Sequence, residues 1–265
     1  MGAVILLARQ GFPTPTTDDF VWPCLTGHLR VVGFDLCINR EILLMFLASA
    51  VVLTVFLLAF RAPAMVPTGL QNFMEVVVDF VRGGIILEVI GEKGLRFVPY
   101  LTTLFFFIFT GNVFGVIPGL QFPVNSRMAL PLFLATLSWI LFNAVGIKEH
   151  GLRGYLKMIL FPPGVPWFMF ILVTPIEFVS TVLVRPVTLS VRLLANMIAG
   201  HLLLSIFFLG TAYLLQPSVT AVFAVASFSL GVALVAFEMF VAALQAYIFT
   251  ILTAVYLAGA LSHEH

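Results

Sequence analysis

WFMFILVTPIEFVSTVLVRPVTLSVRLLANMIAGHLLLSIFFLGTAYLLQ, residues 167–216, contains three charged residues: Glu177, Arg185 and Arg192. The stretch that follows, Pro217 to Ser262, contains one, Glu238. Segments this apolar and this long belong in lipid. As continuous helix each block would extend roughly 70 Å, about twice the hydrocarbon thickness of a bilayer. Either each block folds into two spans, or each is one long helix lying steeply tilted in the membrane. Gln216-Pro217-Ser218 is the only convincing turn signal. Beyond it, isolated glycines at 231 and 259 are the only interruptions. The reading adopted is two long, tilted helices forming a hairpin in an all-α membrane protein, with two spans per block as the alternative.

The rest of the chain agrees with lipid as its solvent. Of 265 residues, 61% are hydrophobic and 9% charged, with a formal net charge of +1. Soluble domains carry roughly 25% charged residues. This composition excludes a soluble enzyme, a disordered chain and a nucleic-acid-binding module, and it leaves no basic excess to hold a polyanion. No Walker or Rossmann glycine loop and no HExxH motif occurs, and two cysteines with five scattered histidines do not make a metal site. The reading calls for no cofactor. The apolar run in Met1–Gly11 is too short for a signal-peptide core and lacks transit-peptide character, so the spans themselves are expected to direct insertion.

Residues 1–40 are polar enough to be wet and precede a single membrane domain over 41–265. Residues 42–60 are 19 uncharged apolar residues ended by Arg61 and Pro63, the length of one span. In 69–93, Gln71, Asn72, Glu75, Asp79 and Arg82 recur at spacings of three and four with valines and Phe80 between them, which predicts an amphipathic surface helix. Glu75 and Asp79 there read as a solvated face. Residues 97–118 and 129–147 are two more spans, and the basic linker 148–166 is broken by prolines. This arrangement places Arg61, Arg82, Lys93, Arg96, Lys148, Arg153 and Lys157 on one side and Arg9, Arg30, Arg40 and Arg127 on the other. The excess predicts the N-terminus outside and the C-terminus in the cytoplasm or matrix.

An ionised side chain at mid-bilayer costs about 2.5–3.5 kcal/mol on insertion scales. Glu177, Arg185, Arg192 and Glu238, with His201, must therefore face protein, water or one another. Structural ion pairs are the plain interpretation, and an ion or proton pathway the functional one. At 100° per residue, Arg185, Thr188, Arg192 and Asn196 share one helical face, whereas His201 points about 180° away from Arg192. Arg185, before Pro186, reads as a side chain snorkelling toward an end of the core. Glu238 and Gln245, seven apart, share a face of the last helix, near the small residues Ala242 and Ala246. His201 is placed to face Glu238 across the hairpin. Asn112, inside the second span, reads as an interhelical hydrogen-bonding amide.

Residues 185–201, RPVTLSVRLLANMIAGH, together with 244–257, LQAYIFTILTAVYL, resemble the signature of the a subunit of F-type ATP synthase. The resemblance covers roughly 40–262 and extends to the GIKEHG linker. It implies two long tilted helices against a rotating ring of c subunits and two aqueous half-channels reaching that ring from opposite sides. Arg192 would be the essential arginine separating them. Its guanidinium stays protonated under any plausible condition, which a buried lysine does not guarantee. His201 and Glu238 resemble the paired polar positions of the outer half-channel. By the same resemblance Asn196 and Gln245 would line this route, Asn112 resembles a polar position of an earlier span that borders it, and Glu177 resembles the acidic residue of the inner channel. Glu177 stands 15 residues before Arg192, one more than the family pattern leads one to expect. The implied partners are the c ring, b-type peripheral stalk subunits, other ATP synthase subunits and membrane lipids.

Cys24 and Cys37 precede the first span on the side read as oxidising, where either a disulfide or two free thiols is open. A bacterial plasma membrane is preferred, with the mitochondrial inner membrane as alternative. Two rival functions remain at this stage: a secondary transporter using Glu177, Arg192 and Glu238 at mid-membrane, and a scaffold with structural ion pairs. No repeat with matching helix breaks favours the transporter.

Overall fold

A computed structural model describes residues 29–31, 34–36, 40–117, 128–160, 167–215 and 221–262. Most of the segment 1–40, with Cys24 and Cys37, lies outside these residues, as do Pro118, the linker prolines and the turn Gln216-Pro217-Ser218. The described strands are one short antiparallel hairpin, β1 (Leu29–Val31) and β2 (Phe34–Leu36), with Leu29 opposite Leu36. Everything else regular among the described residues is helical: α1 (Arg40–Phe60), α2 (Leu70–Val81), α3 (Val98–Val116), α4 (Ala129–Leu160), α5 (Phe170–Val179), α6 (Arg185–Leu214) and α7 (Ala221–Leu261). Five runs among the described residues are long and apolar enough to cross a membrane: Ile42–Phe60, Glu92–Val116, Ala129–Leu160, Trp167–Leu214 and Val222–Leu261.

The chain packs as two compact units. One comprises Met1–Ala48, Phe109–Ser126 and Leu194–Leu244; the other comprises Ser49–Ile108, Arg127–Leu193 and Gln245–His265. Each of the two long apolar blocks is a single helical run rather than a pair of spans. The first opens with a 3-10 turn at Trp167–Met169 and contains a π turn at Ser180–Val184.

The charge-free run in α1 contains no glycine or proline, and Ser49 and Thr54 are its only polar side chains, so it stays helical from end to end. Its buried residues Leu44, Ala48, Val52 and Ala59 repeat at helical spacing, while Leu43, Phe46, Leu53 and Leu57 are exposed. Such an apolar exposed face suits lipid rather than water. In the second unit, Val52, Ala59, Met74 and Phe106 form a buried cluster, with Phe56 edge-on to Phe106 at 5.2 Å between centroids.

The helical run predicted over 69–93 starts at Leu70 but is not uniform. Gly69 enters it at φ 57°, and the α-helix gives way to a π turn at Arg82–Leu87, over Gly83 and Gly84. Gly91, at φ 80°, then starts a 3-10 turn, Glu92–Phe97. Gln71 ties α2 to the preceding chain: its Oε1 accepts from the Ala64 N–H at 3.1 Å, and its Nε2 donates to the Ala64 carbonyl and to Glu75 Oε1. Leu70, Phe73, Val76 and Phe80 form the open apolar face.

The linker after 147 is helical as far as Leu160. Only Gly151 leaves helical geometry, at φ 69° and ψ 162°, a region that glycine enters without strain. This break turns the chain so that Tyr155 lies on Gly146, where a Cβ would overlap its ring. The Tyr155 hydroxyl then donates to Asn143 Oδ1 at 3.0 Å.

Candidate functional site

In the first unit, the site is built where α6 and α7 meet at Gly200 and Glu238. Gly200 makes that approach possible: a Cβ there would overlap Glu238 Oε1 and lie 2.9 Å from its Cδ. The Glu238 carboxylate therefore rests on the α6 backbone, and the residue is only 8% exposed. Its Oε2 is buried with no hydrogen-bond partner among the described residues. Glu238 and Asn196 open on the same cavity of about 170 Å³, walled by Leu203, Leu204, Leu234 and Phe237. The rest of the lining is apolar, and a space of that size with two polar side chains in its wall has room for several waters. Asn112 is fully buried and donates to the Ala242 carbonyl at 3.4 Å, one turn beyond Glu238 on α7. His201 is not one of the residues lining this cavity; its Nδ1 lies 3.4 Å from Ser205 Oγ, one turn further along α6.

The second unit holds a separate cavity, also of about 170 Å³, lined by Glu177, Thr181, Arg185, Tyr155, Phe142 and Tyr256 among others. The Arg185 guanidinium stands over the Tyr256 ring, 5.0 Å from its centroid, a cation–π arrangement. Arg185 is half-buried beside that ring. The π turn between Glu177 and Arg185 absorbs one residue of helix. Fifteen residues of unbroken α-helix would offset Glu177 from Arg192 by about 60°; removing one residue's rotation of about 100° leaves the offset that a spacing of fourteen would produce.

Arg192 itself is exposed, as is Thr188 on the same face of α6. Only 6% of the apolar window in Trp167–Leu214 is buried by its own chain, against 50% for Glu92–Val116. Gln245 is buried on α7, and its Oε1 has no hydrogen-bond partner among the described residues. The structure thus brings together Asn196 with Glu238 in one unit and Glu177 with Arg185 in the other.

Sequence reasoning did not single out Gly200, Thr181, Trp139, Tyr155 or Tyr256. Gly200 and Tyr155 act through contacts distant in the chain, which no local pattern encodes. For Thr181 the sequence signal misses by one residue: in an α-helix Pro186 deprives the Val182 carbonyl of its donor, and only the π register moves that loss to Thr181.

Residues 42–258 match the family model for the ATP synthase A chain. The ATP synthase subunit a of Parafrankia sp. (strain EAN1pec) is 47% identical over 262 residues, covering 98% of this chain and 88% of that one. The subunit a of Frankia alni is 46% identical, covering 99% of this chain and 91% of its own length. That of Rhodococcus erythropolis is 44% identical, covering 99% and 96%. These full-length matches coincide with the long helical runs and the intramembrane charges, and the chain belongs to the ATP synthase A chain family.

Proposed function

We propose that this chain is the proton-conducting stator subunit of the membrane sector of a rotary ATP synthase, in a bacterial plasma membrane. The observation that carries the reading is Arg192. It is a permanently charged side chain exposed on a helix that is otherwise built for lipid. Left against hydrocarbon it would cost about 2.5–3.5 kcal/mol or more. A partner carrying a membrane-embedded carboxylate removes that penalty, and a c ring supplies a succession of them.

In this mechanism Arg192 attracts each deprotonated ring carboxylate, favours release of its proton and blocks a direct leak. Along the helical run Trp167–Leu214 it follows Glu177 and Arg185, which line one cavity, and precedes Asn196 and Gly200, which line the other. The cavity at Glu238 and Asn196, with Asn112, His201 and Gln245 along the route, serves as the outer half-channel. The buried carboxylate oxygen of Glu238 then finds its partner in a water chain. The cavity at Glu177 serves as the inner half-channel. The helical runs of 48 and 40 residues lie tilted as a hairpin against the ring, which lets them remain in a core of about 30 Å. A b-type stalk holds the chain still, the N-terminus lies outside, and the C-terminus lies in the cytoplasm. Proton flow turns the ring, and each charge crossing 100 mV releases about 2.3 kcal/mol. The bacterial origin of the relatives supports the plasma membrane over the mitochondrial one.

The test is ATP-driven acidification of inverted membrane vesicles holding the assembled complex, comparing wild type with Arg192→Ala. Pumping is expected to vanish while the complex stays assembled. Undiminished pumping would make the arginine structural and reopen the transporter and scaffold readings.

A further inference from the structure

The π turn at Ser180–Val184 leaves one carbonyl without its usual donors. In an α-helix the Thr181 carbonyl would accept from the Arg185 N–H, but here that N–H goes to the Ser180 carbonyl instead. The next candidate, five residues on, is Pro186, which has no N–H. The missing donor comes from another helix: Trp139 of α4 gives its indole Nε1–H to the Thr181 carbonyl at 3.0 Å. Thr181 is buried, so an unpaired carbonyl at this point would be unfavourable.

The segment thus has two ways to pair. With the indole in place, the Thr181 carbonyl is satisfied and the π register holds. Without it, the carbonyl is satisfied by taking back the Arg185 N–H, which restores the α register. That change rotates everything before the turn, Glu177 included, by about 100° relative to Arg185 and Arg192. Glu177 would then leave the wall it shares with Thr181 and Arg185.

We propose that Trp139 is a positioning residue: its indole N–H holds the π turn and so keeps Glu177, Thr181 and Arg185 on one cavity wall. The proposal rests on reading that cavity as the inner end of the proton path. It also explains how a chain in which Glu177 stands 15 residues before Arg192 keeps the angular relation of a spacing of fourteen.

The test uses the assembled complex in inverted vesicles with three variants: Trp139→Phe, deletion of the exposed Val182 from the turn, and both together. Trp139→Phe is expected to lower ATP-driven pumping about tenfold. Deleting Val182 in that background is expected to return most of the rate, because an α-helix shorter by one residue restores the angle of Glu177. A tryptophan that only fills space would not be rescued by removing a residue from a different helix. Wild-type pumping in Trp139→Phe, or a double variant no better than Trp139→Phe, would overturn the proposal. If Trp139→Phe does not assemble, assembly of the double variant becomes the readout: recovery supports the proposal and continued failure overturns it. Loss of pumping in the Arg192→Ala control together with wild-type pumping in Trp139→Phe would overturn this inference alone, whereas pumping that survives Arg192→Ala would overturn the proposed function.

Discussion

Glu238 shows how much a single backbone position contributes. An ionisable group on a membrane helix is tolerated only where something polar receives it. Here the carboxylate fits against α6 because residue 200 has no side chain. A methyl group at that position meets the oxygen itself, and the carboxylate must swing away from the cavity it shares with Asn196. Gly200→Ala is therefore expected to reduce ATP-driven pumping by roughly tenfold or more, since a displacement of an ångström at a reacting group has effects of that order. The complex should still assemble, because helix propensity favours alanine over glycine by up to about 1 kcal/mol. Quenching of a pH-sensitive dye in inverted vesicles measures the effect, and an unchanged rate would mean that Glu238 does not need its place on the α6 backbone. Glu177 and Arg185 show the complementary case, in which polar groups share a cavity wall because of a local change in helix register.

At the scale of elements, the departures from regular helix are tied to residues with a defined backbone effect. Pro186 removes an N–H just after the π turn at Ser180–Val184. Gly83 and Gly84 sit in the π turn at Arg82–Leu87. Gly151 provides the positive φ at which α4 bends, and Gly146 accepts Tyr155 after the bend. The bend and the contact depend on each other, because Tyr155 reaches Asn143 only if its ring lies where a Cβ on residue 146 would be. Gly146→Ala is expected to push the ring off α4, break the Tyr155–Asn143 hydrogen bond and raise amide hydrogen exchange over 143–160. Loss of one such hydrogen bond corresponds to about 0.5–1.5 kcal/mol. Exchange at the wild-type level would mean that the bend is held by Gly151 alone.

At the scale of the whole molecule, the informative quantity is what the chain leaves uncovered. The run Trp167–Leu214 buries almost none of its apolar window against its own chain, and Arg192 is exposed on it. The proposed topology places Lys157, an exposed residue, on the cytoplasmic side. With Cys24 and Cys37 changed to serine, a Lys157→Cys variant should react with a membrane-impermeant maleimide in inverted vesicles and not in intact cells; the opposite pattern would reverse the orientation. By itself, the sequence determined the apolar runs, the helical class, the intramembrane charges and the family, because these follow from composition, from periodicity along one helix and from a long, specific motif. It also placed Arg192 and Asn196 on one face, since their spacing on a single helix needs no partner. Only the tertiary structure decided that Glu238 lies against Gly200, that Arg185 stands over Tyr256, and that Trp139 bonds the Thr181 carbonyl in a π turn before Arg192. Each of these depends on which helices come together and how closely, and that is set by contacts between residues far apart in the chain.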